Sequence, residues 1–250
     1  MSRWIDLNTD LGEGCGDDAG LMSVISSCNV ACGGHAGDTA SMREAVRLAH
    51  AHGVRIGAHP SYPDREGFGR RAMPIEGGNL KAALRQQIAS LAAIAAEEGT
   101  ALTHVKPHGA LYNQAAIDAP LARLVSEIVA EGLPGAALVG PPGSELEAAA
   151  AETGLSFLAE GFADRAYTAE GRLVPRSEPG AVLECDEDRL AQALQIAREG
   201  EVTAHNGLTI NLPARTICLH GDSPGALASA HAIRAALEAA GFEIGVAKNG

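Results

Sequence analysis

The sequence predicts an α/β protein, a TIM-like (β/α)7 barrel, and three observations lead to this fold class. Short apolar segments alternate with amphipathic helices along the chain, which implies parallel strand pairing. The strand segments are almost continuously apolar, as expected of strands covered on both faces. A length of 250 residues suits about seven βα units closed into a barrel better than an open sheet, which is the alternative.

The strand segments are too short to form helices and lie between them. We predict strands at residues 4–7, 28–32, 54–58, 102–105, 136–139, 156–159 and 216–219. Asn206-Gly207 lies between apolar residues and predicts a β-hairpin over residues 202–212, before the last strand.

The helices are predicted from apolar side chains recurring every three or four residues, together with N-caps and terminal glycines. They begin at or after Asp38, Asn79, Asp118, Ser144, Asp186 and Ser223-Pro224, and stop at or before Gly53, Gly99, Gly132, Gly154, Gly200 and Gly241. No linker, low-complexity segment or repeat divides the chain, so residues 1–250 are expected to form one domain.

Composition excludes several classes of partner. Lys and Arg total 19 against 31 Asp and Glu, a net charge of −12 that opposes the basic face needed by nucleic acids. No apolar run reaches the roughly 18 residues that span a bilayer, and Asp6 and Asp10 interrupt any signal peptide. The five cysteines lack the regular spacing of a disulfide framework. We therefore expect a cytoplasmic protein with free thiols and with neither nucleic acid nor a membrane as a partner.

Polar side chains able to do chemistry follow the predicted strands. In chain order they are Asn8, Asp10, Glu13, His35, Asp38, His59, Lys106, His108, Glu160, Asp164, His220 and Asp222. In a parallel barrel the carboxyl ends of all strands meet at one rim. Residues more than two hundred positions apart are therefore expected to converge on one site.

Three kinds of chemistry fit such a rim. Asp10, His59 and His108 would hold a divalent cation that polarises a carbonyl or activates water. Without a metal, Asp10 and the histidines would act as general acid and base, while Lys106 stabilises an oxyanion. The third possibility is a cradle for a small anionic ligand. The cationic residues available for it are Lys106, Arg70, Arg71 and Arg165.

Other features allow two interpretations each. Asp38 is either a site residue or only the N-cap of its helix. The long segment over residues 59–78 is either a lid above the barrel or a solvated connection. The chain contains neither a G-x-x-x-x-G-K-[ST] phosphate loop nor a G-x-S-x-G elbow.

Five segments together resemble the LamB/YcsF family, whose members are described as the A component of the ATP-hydrolysing 5-oxoprolinase. They read IDLNTDLGEG from Ile5, CNVACGGHAGD from Cys28, IGAHPSYPDREGFGRR from Ile56, KPHGALYN from Lys106 and CLHGDSPGA from Cys218. Their order and length make the resemblance specific, and it covers residues from about 4 to 245.

The resemblance implies a seven-stranded barrel like that of the glycoside hydrolase/deacetylase superfamily. It also implies a role in converting 5-oxo-L-proline to L-glutamate at the expense of ATP, together with two further subunits, B and C. The absence of a phosphate loop fits ATP being handled partly by those partners.

On this hypothesis the rim binds the lactam or its phosphorylated form. Lys106 would pair with carboxylate or phosphate, and Asp10 with His59 or His108 would activate water or bind a metal. Asp222 would orient a histidine. The remaining predicted substrate-binding residues are Asn8, His35, Asp38, Arg70, Arg71 and His220.

Two alternatives stay open. One is a metal-dependent deacetylase or amidohydrolase that acts alone, an argument from fold analogy. The other is a non-catalytic subunit that binds the ligand and organises its partners.

Overall fold

The structure, a computed structural model, describes residues 3–223 and 225–246. Its parallel sheet is made of β1 (Arg3–Leu11), β2 (Ser27–Ala31), β3 (Arg55–His59), β4 (Leu102–Val105), β5 (Ala137–Gly140), β6 (Phe157–Phe162), β9 (Thr216–Cys218) and β10 (Phe242–Ile244). A separate antiparallel hairpin is formed by β7 (Glu201–Thr203) and β8 (Thr209–Asn211), as predicted around Asn206-Gly207.

The barrel closes because β9 pairs with both β6 and β1, so that β1–β6 and β9 form a ring of parallel strands. The predicted (β/α)7 barrel is therefore confirmed, and the open sheet is wrong. The last strand, β10, was not predicted. It pairs with the start of β1 through Arg3 and Phe242, while β9 takes over from Asp6 onward.

The helices cover the outside of the barrel. They are α1 (Asp18–Met22), α2 (Thr39–His52), α3 (Gly77–Glu97), α4 (Gly109–Ala115), α5 (Ala119–Gly132), α6 (Glu145–Thr153), α7 (Asp186–Glu199) and α8 (Ala226–Ala239). The predicted longer helices are confirmed to within a few residues, although Pro224, at the predicted start of the last one, lies outside the described residues. The short α1 and α4 were missed because five or seven residues give too few turns for a periodic pattern. None of the helices in the described part has the length and apolarity to cross a bilayer.

The first strand differs most from its prediction. It extends to Leu11 rather than ending at Leu7, so Asn8 and Asp10 lie within it. Asp6, Asn8 and Asp10 occupy alternate positions of β1 and are hydrogen-bonded to residues of neighbouring strands inside the barrel. The error has a physical cause: we expected an apolar run, whereas the inside of this barrel is polar at alternate positions of β1.

Candidate active site

A pocket of about 380 Å³ opens at the carboxyl ends of the barrel strands. We call it the rim pocket. Its lining includes Asp10, Glu13, His59, Lys106, His108, Phe162, Arg165, Arg176 and His220. The predicted convergence of distant residues on one rim is thus observed.

Lys106 is the central charge of this site. It is only 2% exposed, and its Nζ lies 3.0 Å from Asp10 Oδ1, 2.9 Å from Glu160 Oε1 and 3.2 Å from Cys218 Sγ. An ammonium has three N–H donors, so these contacts use them all. Lys106 therefore holds two carboxylates in place, and leaves no donor for the substrate carboxylate or phosphate that the sequence assigned to it.

We call Lys106, Asp10 and Glu160 the charge triad. Asp10 and Lys106 each favour the charged form of the other. Burial alone would raise the pKa of Asp10, but His59 and Lys106 hold it well below its usual value. Burial would lower the pKa of Lys106, but Asp10 and Glu160 keep it well above its usual value. Asp10 therefore stays ionised and Lys106 stays protonated at neutral pH.

A hydrogen-bonded layer lies beneath the triad. Asn29 Nδ2 donates to Asp10 Oδ1 and to Asn8 Oδ1, each over 2.9 Å. Asn8 Nδ2 in turn donates to Glu160 Oε1 over 3.1 Å. Asn8 is 2% exposed and does not line the rim pocket, so it positions the carboxylates rather than contacting a ligand.

The hydrogen bonds of His59 and His108 determine which of their ring nitrogens carry protons. His59 Nδ1 lies 2.7 Å from the carbonyl oxygen of Lys106, and His108 Nε2 lies 2.9 Å from that of Phe68. Because a carbonyl oxygen only accepts, both of these ring nitrogens carry the proton. The other two nitrogens, His59 Nε2 and His108 Nδ1, face each other at 2.9 Å. Two neutral rings would bring two lone pairs together there, so the geometry calls for a cation.

His35 and Glu13 complete this group. His35 stacks on His108 with ring centroids 3.6 Å apart, and its Nε2 lies 3.0 Å from Glu13 Oε1. Ligand atoms of Glu13, His35, His59 and His108 all lie within 4.8 Å of one another. We call these four residues the histidine cluster.

The histidine cluster fits a divalent metal. Burial lowers the pKa of His35, and burial with the charges of His59 and His35 holds the pKa of His108 well below its usual value. Neutral imidazoles are the form that binds metals. Backbone carbonyls that fix the second ring nitrogen are also typical of metal-binding histidines. The sequence predicts Asp10 with His59 and His108. The structure groups those histidines with Glu13 and His35, and Asp10 Oδ2 also lies 3.3 Å from His59 Nε2.

The loop over residues 60–76 helps to build the cluster. Phe68 has a positive φ of 54°, a conformation that is uncommon for a residue other than glycine. This turn aims its carbonyl oxygen at His108 Nε2. Gly69, next to it, leaves room for the rings, since a Cβ there would lie 2.9 Å from both His108 Cδ2 and His35 Cβ. The segment predicted as a lid or connection thus fixes a site histidine.

A second carboxylate and histidine pair lies across the pocket. Asp164 Oδ2 is 3.0 Å from His220 Nδ1 and also accepts from the His220 backbone N–H. His220 Nε2 has no hydrogen-bond partner among the described residues. We expected Asp222 to orient a histidine, but this is incorrect: Asp222 contacts Arg70 Nη2 at 3.0 Å.

Two predicted substrate-binding residues have other partners. Asp38 is exposed and caps α2, accepting from the backbone N–H groups of Ala40 and Ser41. Arg71 pairs with Asp64. Neither Asp38 nor Arg71 lines the rim pocket. Arg70 and His220 do line it, whereas His35 lies behind it in the histidine cluster.

The sequence assigns no role to several residues of the candidate site. Glu13, Glu160 and Asp164 follow predicted strands, but no local pattern gives them a role. Arg176 has no sequence signal, because it lies in an irregular segment far from any strand end. The period-two spacing of Asp6, Asn8 and Asp10 is the sequence signal for a polar barrel interior.

The chain is similar to known proteins over nearly its whole length. It is 48% identical to a protein of Neisseria meningitidis serogroup C named as the A subunit of 5-oxoprolinase, over 97% of this chain and 99% of that protein. It is also similar to the crystal structure of a lactam utilization protein from Thermus thermophilus, with 43% identity, a TM-score of 0.90, and coverage of 96% and 98% of the two chains.

A more distant likeness shows the fold alone. The catalytic domain of a peptidoglycan N-acetylglucosamine deacetylase from Eubacterium rectale shares 13% identity at a TM-score of 0.51, over 100% of this chain and 90% of that one.

The family model described as the LamB/YcsF family matches residues 5–249. With nearly its whole length matched, the chain belongs to the LamB/YcsF family.

Proposed function

We propose that this chain is the A component of an ATP-hydrolysing 5-oxoprolinase, which opens the lactam of 5-oxo-L-proline to L-glutamate together with partner subunits B and C. The similarity to a 5-oxoprolinase component over nearly the whole chain carries this proposal. The similar structure named for lactam utilization supports the substrate class. The rim pocket supplies polar and charged groups for such a substrate.

ATP has a clear chemical purpose in this reaction. A five-membered lactam is an unactivated amide, so water attacks its carbonyl slowly. Transfer of the γ-phosphoryl group to the lactam oxygen releases ADP and makes the ring carbon a better electrophile. Addition of water and cleavage of the C–N bond then give an acyl phosphate, and a second water releases phosphate and L-glutamate.

We assign proton transfer from the attacking water to His220. Imidazole is the commonest general base, and Asp164 bonded to Nδ1 leaves Nε2 as the acceptor. Asp10 is a poor base, because its pKa is held well below its usual value. With Lys106 it instead supplies fixed charge beside the reacting carbonyl.

The histidine cluster would hold a divalent cation through Glu13, His35, His59 and His108. Such an ion would polarise the lactam carbonyl or lower the pKa of a bound water. His59 and His108 would each bind through the ring nitrogen that does not face a backbone carbonyl.

We place the activity in the cytoplasm, where ATP is available. The five cysteines are unpaired, in agreement with a reducing compartment. ATP hydrolysis is assigned to the assembled complex, and subunits B and C are its expected partners.

The test is reconstitution of the purified chain with subunits B and C, measuring L-glutamate released from 5-oxo-L-proline. Glutamate formation should require ATP and all three proteins. His220→Asn should lower kcat about 100- to 10,000-fold, the range for a general base, while Arg71→Gln, outside the pocket, should not. Glutamate formation by B and C alone at the full rate would refute the proposal.

The barrel fold shared with a deacetylase, together with the histidine cluster, favours one competing function. A stand-alone metal-dependent deacetylase would release acetate from N-acetyl substrates without ATP or partners, and a chelator would stop it. A subunit that only binds the ligand would bind 5-oxo-L-proline, and its complex would keep full turnover with His220→Asn.

A further inference from the structure

Two arginines in the rim pocket have no acidic partner within the described part of the chain. Arg165 and Arg176 both lie in the segment over residues 163–185, between β6 and α7, and both line the pocket. No carboxylate oxygen of the described residues lies within 4.0 Å of either guanidinium. The neighbouring carboxylate, Asp164, is already bonded to His220.

Arg165 is built into the protein rather than lying on its surface. It is 5% exposed, and its Nε and Nη2 donate to the carbonyl oxygens of Ala181 and Val174 over 3.1 and 2.6 Å. These contacts fix the guanidinium plane. The third nitrogen, Nη1, has no partner among the described residues, yet it is not sealed from solvent. The Nη1 donors are therefore free for a ligand, and Arg165 is one of the residues that line the pocket.

The local charge favours an anion at this place. Burial lowers the pKa of Arg165 to about 10, and the charge of nearby Arg176 contributes in the same direction. Two guanidinium groups that repel each other in a partly buried site are both stabilised when an anion is bound between them. Arginine is also the side chain whose geometry best matches a carboxylate or a phosphate.

The other cations of the pocket are already neutralised. Lys106 contacts Asp10 and Glu160, and Arg70 contacts Asp222. Phe162 lines the pocket, its ring centroid lies 5.1 Å from Lys106 Nζ, and it stacks on His220 with centroids 5.5 Å apart. A small ligand with an apolar ring and one anionic group matches this arrangement.

We propose that Arg165 and Arg176 form the subsite for the carboxylate of the lactam substrate. This inference rests on the proposed function and names the residues that distinguish 5-oxo-L-proline from a lactam without a carboxylate. The carboxylate would accept from Arg165 Nη1 and from Arg176, with the ring methylene groups against Phe162. The ring carbonyl would then face Asp10, Lys106 and the histidine cluster.

The same chemistry would suit a phosphate, so the test compares three probes on the full chain by calorimetry. They are 5-oxo-L-proline, 2-pyrrolidinone, which is the same ring without the carboxylate, and ATP. Arg176→Gln should weaken 5-oxo-L-proline binding about 10- to 100-fold, the loss expected for one charge-assisted hydrogen bond. It should leave 2-pyrrolidinone and ATP binding unchanged, and Arg176→Lys should recover part of the loss.

Arg172→Gln is the matched control, because Arg172 is an exposed arginine of the same segment that does not line the rim pocket. The inference is overturned if wild type does not bind 5-oxo-L-proline, or if Arg176→Gln weakens both lactams equally. It is also overturned if only ATP binding falls, which would make the subsite one for phosphate.

Turnover by the reconstituted complex separates this inference from the proposed function. Without ATP-dependent glutamate formation by the wild-type complex, the proposed function fails whatever the lactams bind. If the wild-type complex turns over, kcat/KM is measured for 5-oxo-L-proline and for 2-pyrrolidinone with wild type and with Arg176→Gln. If the ratio of the two kcat/KM values is the same in both proteins, the subsite is refuted and the proposed function is not.

Discussion

Replacing Lys106 by methionine tests the buried charge triad at the centre of the site. The substitution keeps the length of the side chain but removes the ammonium between Asp10 and Glu160, 3.0 and 2.9 Å away. At an effective dielectric constant of about 20, Coulomb's law gives about 5 to 6 kcal/mol for each of these contacts. Removing the ammonium also removes its own desolvation cost, which is several kcal/mol.

The net loss in the free energy of unfolding should therefore be about 3–5 kcal/mol at pH 7, as found when one partner of a buried ion pair is deleted. The other lysine among the described residues, Lys81, provides the control: it lies near two partly exposed glutamates, and Lys81→Met should cost about 1 kcal/mol or less. Urea unfolding followed by circular dichroism measures both values.

The effect should depend on pH in a defined direction. In wild type the pKa of Asp10 is held well below its usual value, so its contribution to stability is complete above that usual value and is lost at lower pH. Without Lys106, burial is opposed only by His59 and His220, so the folded-state pKa of Asp10 rises and the variant loses less stability than wild type as the pH falls. The difference between the two proteins should therefore shrink from pH 7 to pH 5. A loss below about 1 kcal/mol at pH 7, or one independent of pH, would refute the buried triad.

Three further predictions concern stability. Burial and the charge of Arg55 lower the pKa of His104 from 6.5 to about 3, so unfolding takes up a proton between these pH values and the free energy of unfolding decreases as the pH falls through them. His104→Gln should remove up to about 1.4 kcal/mol per pH unit of this dependence, measured by urea unfolding at several pH values. An unchanged pH dependence would contradict the prediction. Gly57→Ala places a methyl carbon against His104 Nε2 inside the barrel and should cost about 1–3 kcal/mol by overpacking; a thermal melt identical to wild type would show that the barrel interior has room. Asp38→Ala should lower the melting temperature by loss of the helix cap but leave the activity of the complex unchanged, whereas lost activity at full stability would return Asp38 to the site.

The sequence was most informative where local rules act. The cap at Asp38 and the left-handed Gly53 define α2 through backbone hydrogen bonds made within the helix itself. Strand and helix alternation implied parallel pairing, and parallel pairing implied that polar strand ends meet. That is why Asp10, His59, Lys106 and His108 could be grouped from the sequence alone.

What the sequence left open depends on contacts across the barrel. The local sequence around Asp164 and Asp222 does not indicate which of the two is hydrogen-bonded to His220. That partner depends on the pairing of β6 with β9. The grouping of Glu13 and His35 with His59 and His108 likewise requires the loop at Phe68 to fix one ring.

Chain-local hydrogen bonds and side-chain periodicity thus determined the barrel and the rim on which its chemistry lies. Only the tertiary structure decided the partner of each charge. It showed Lys106 enclosed by Asp10 and Glu160, and Arg165 held by two carbonyl oxygens with one nitrogen open. The physical reason is that a charge is neutralised by whatever lies within a few ångströms in space, and strand pairing brings together residues that the sequence separates.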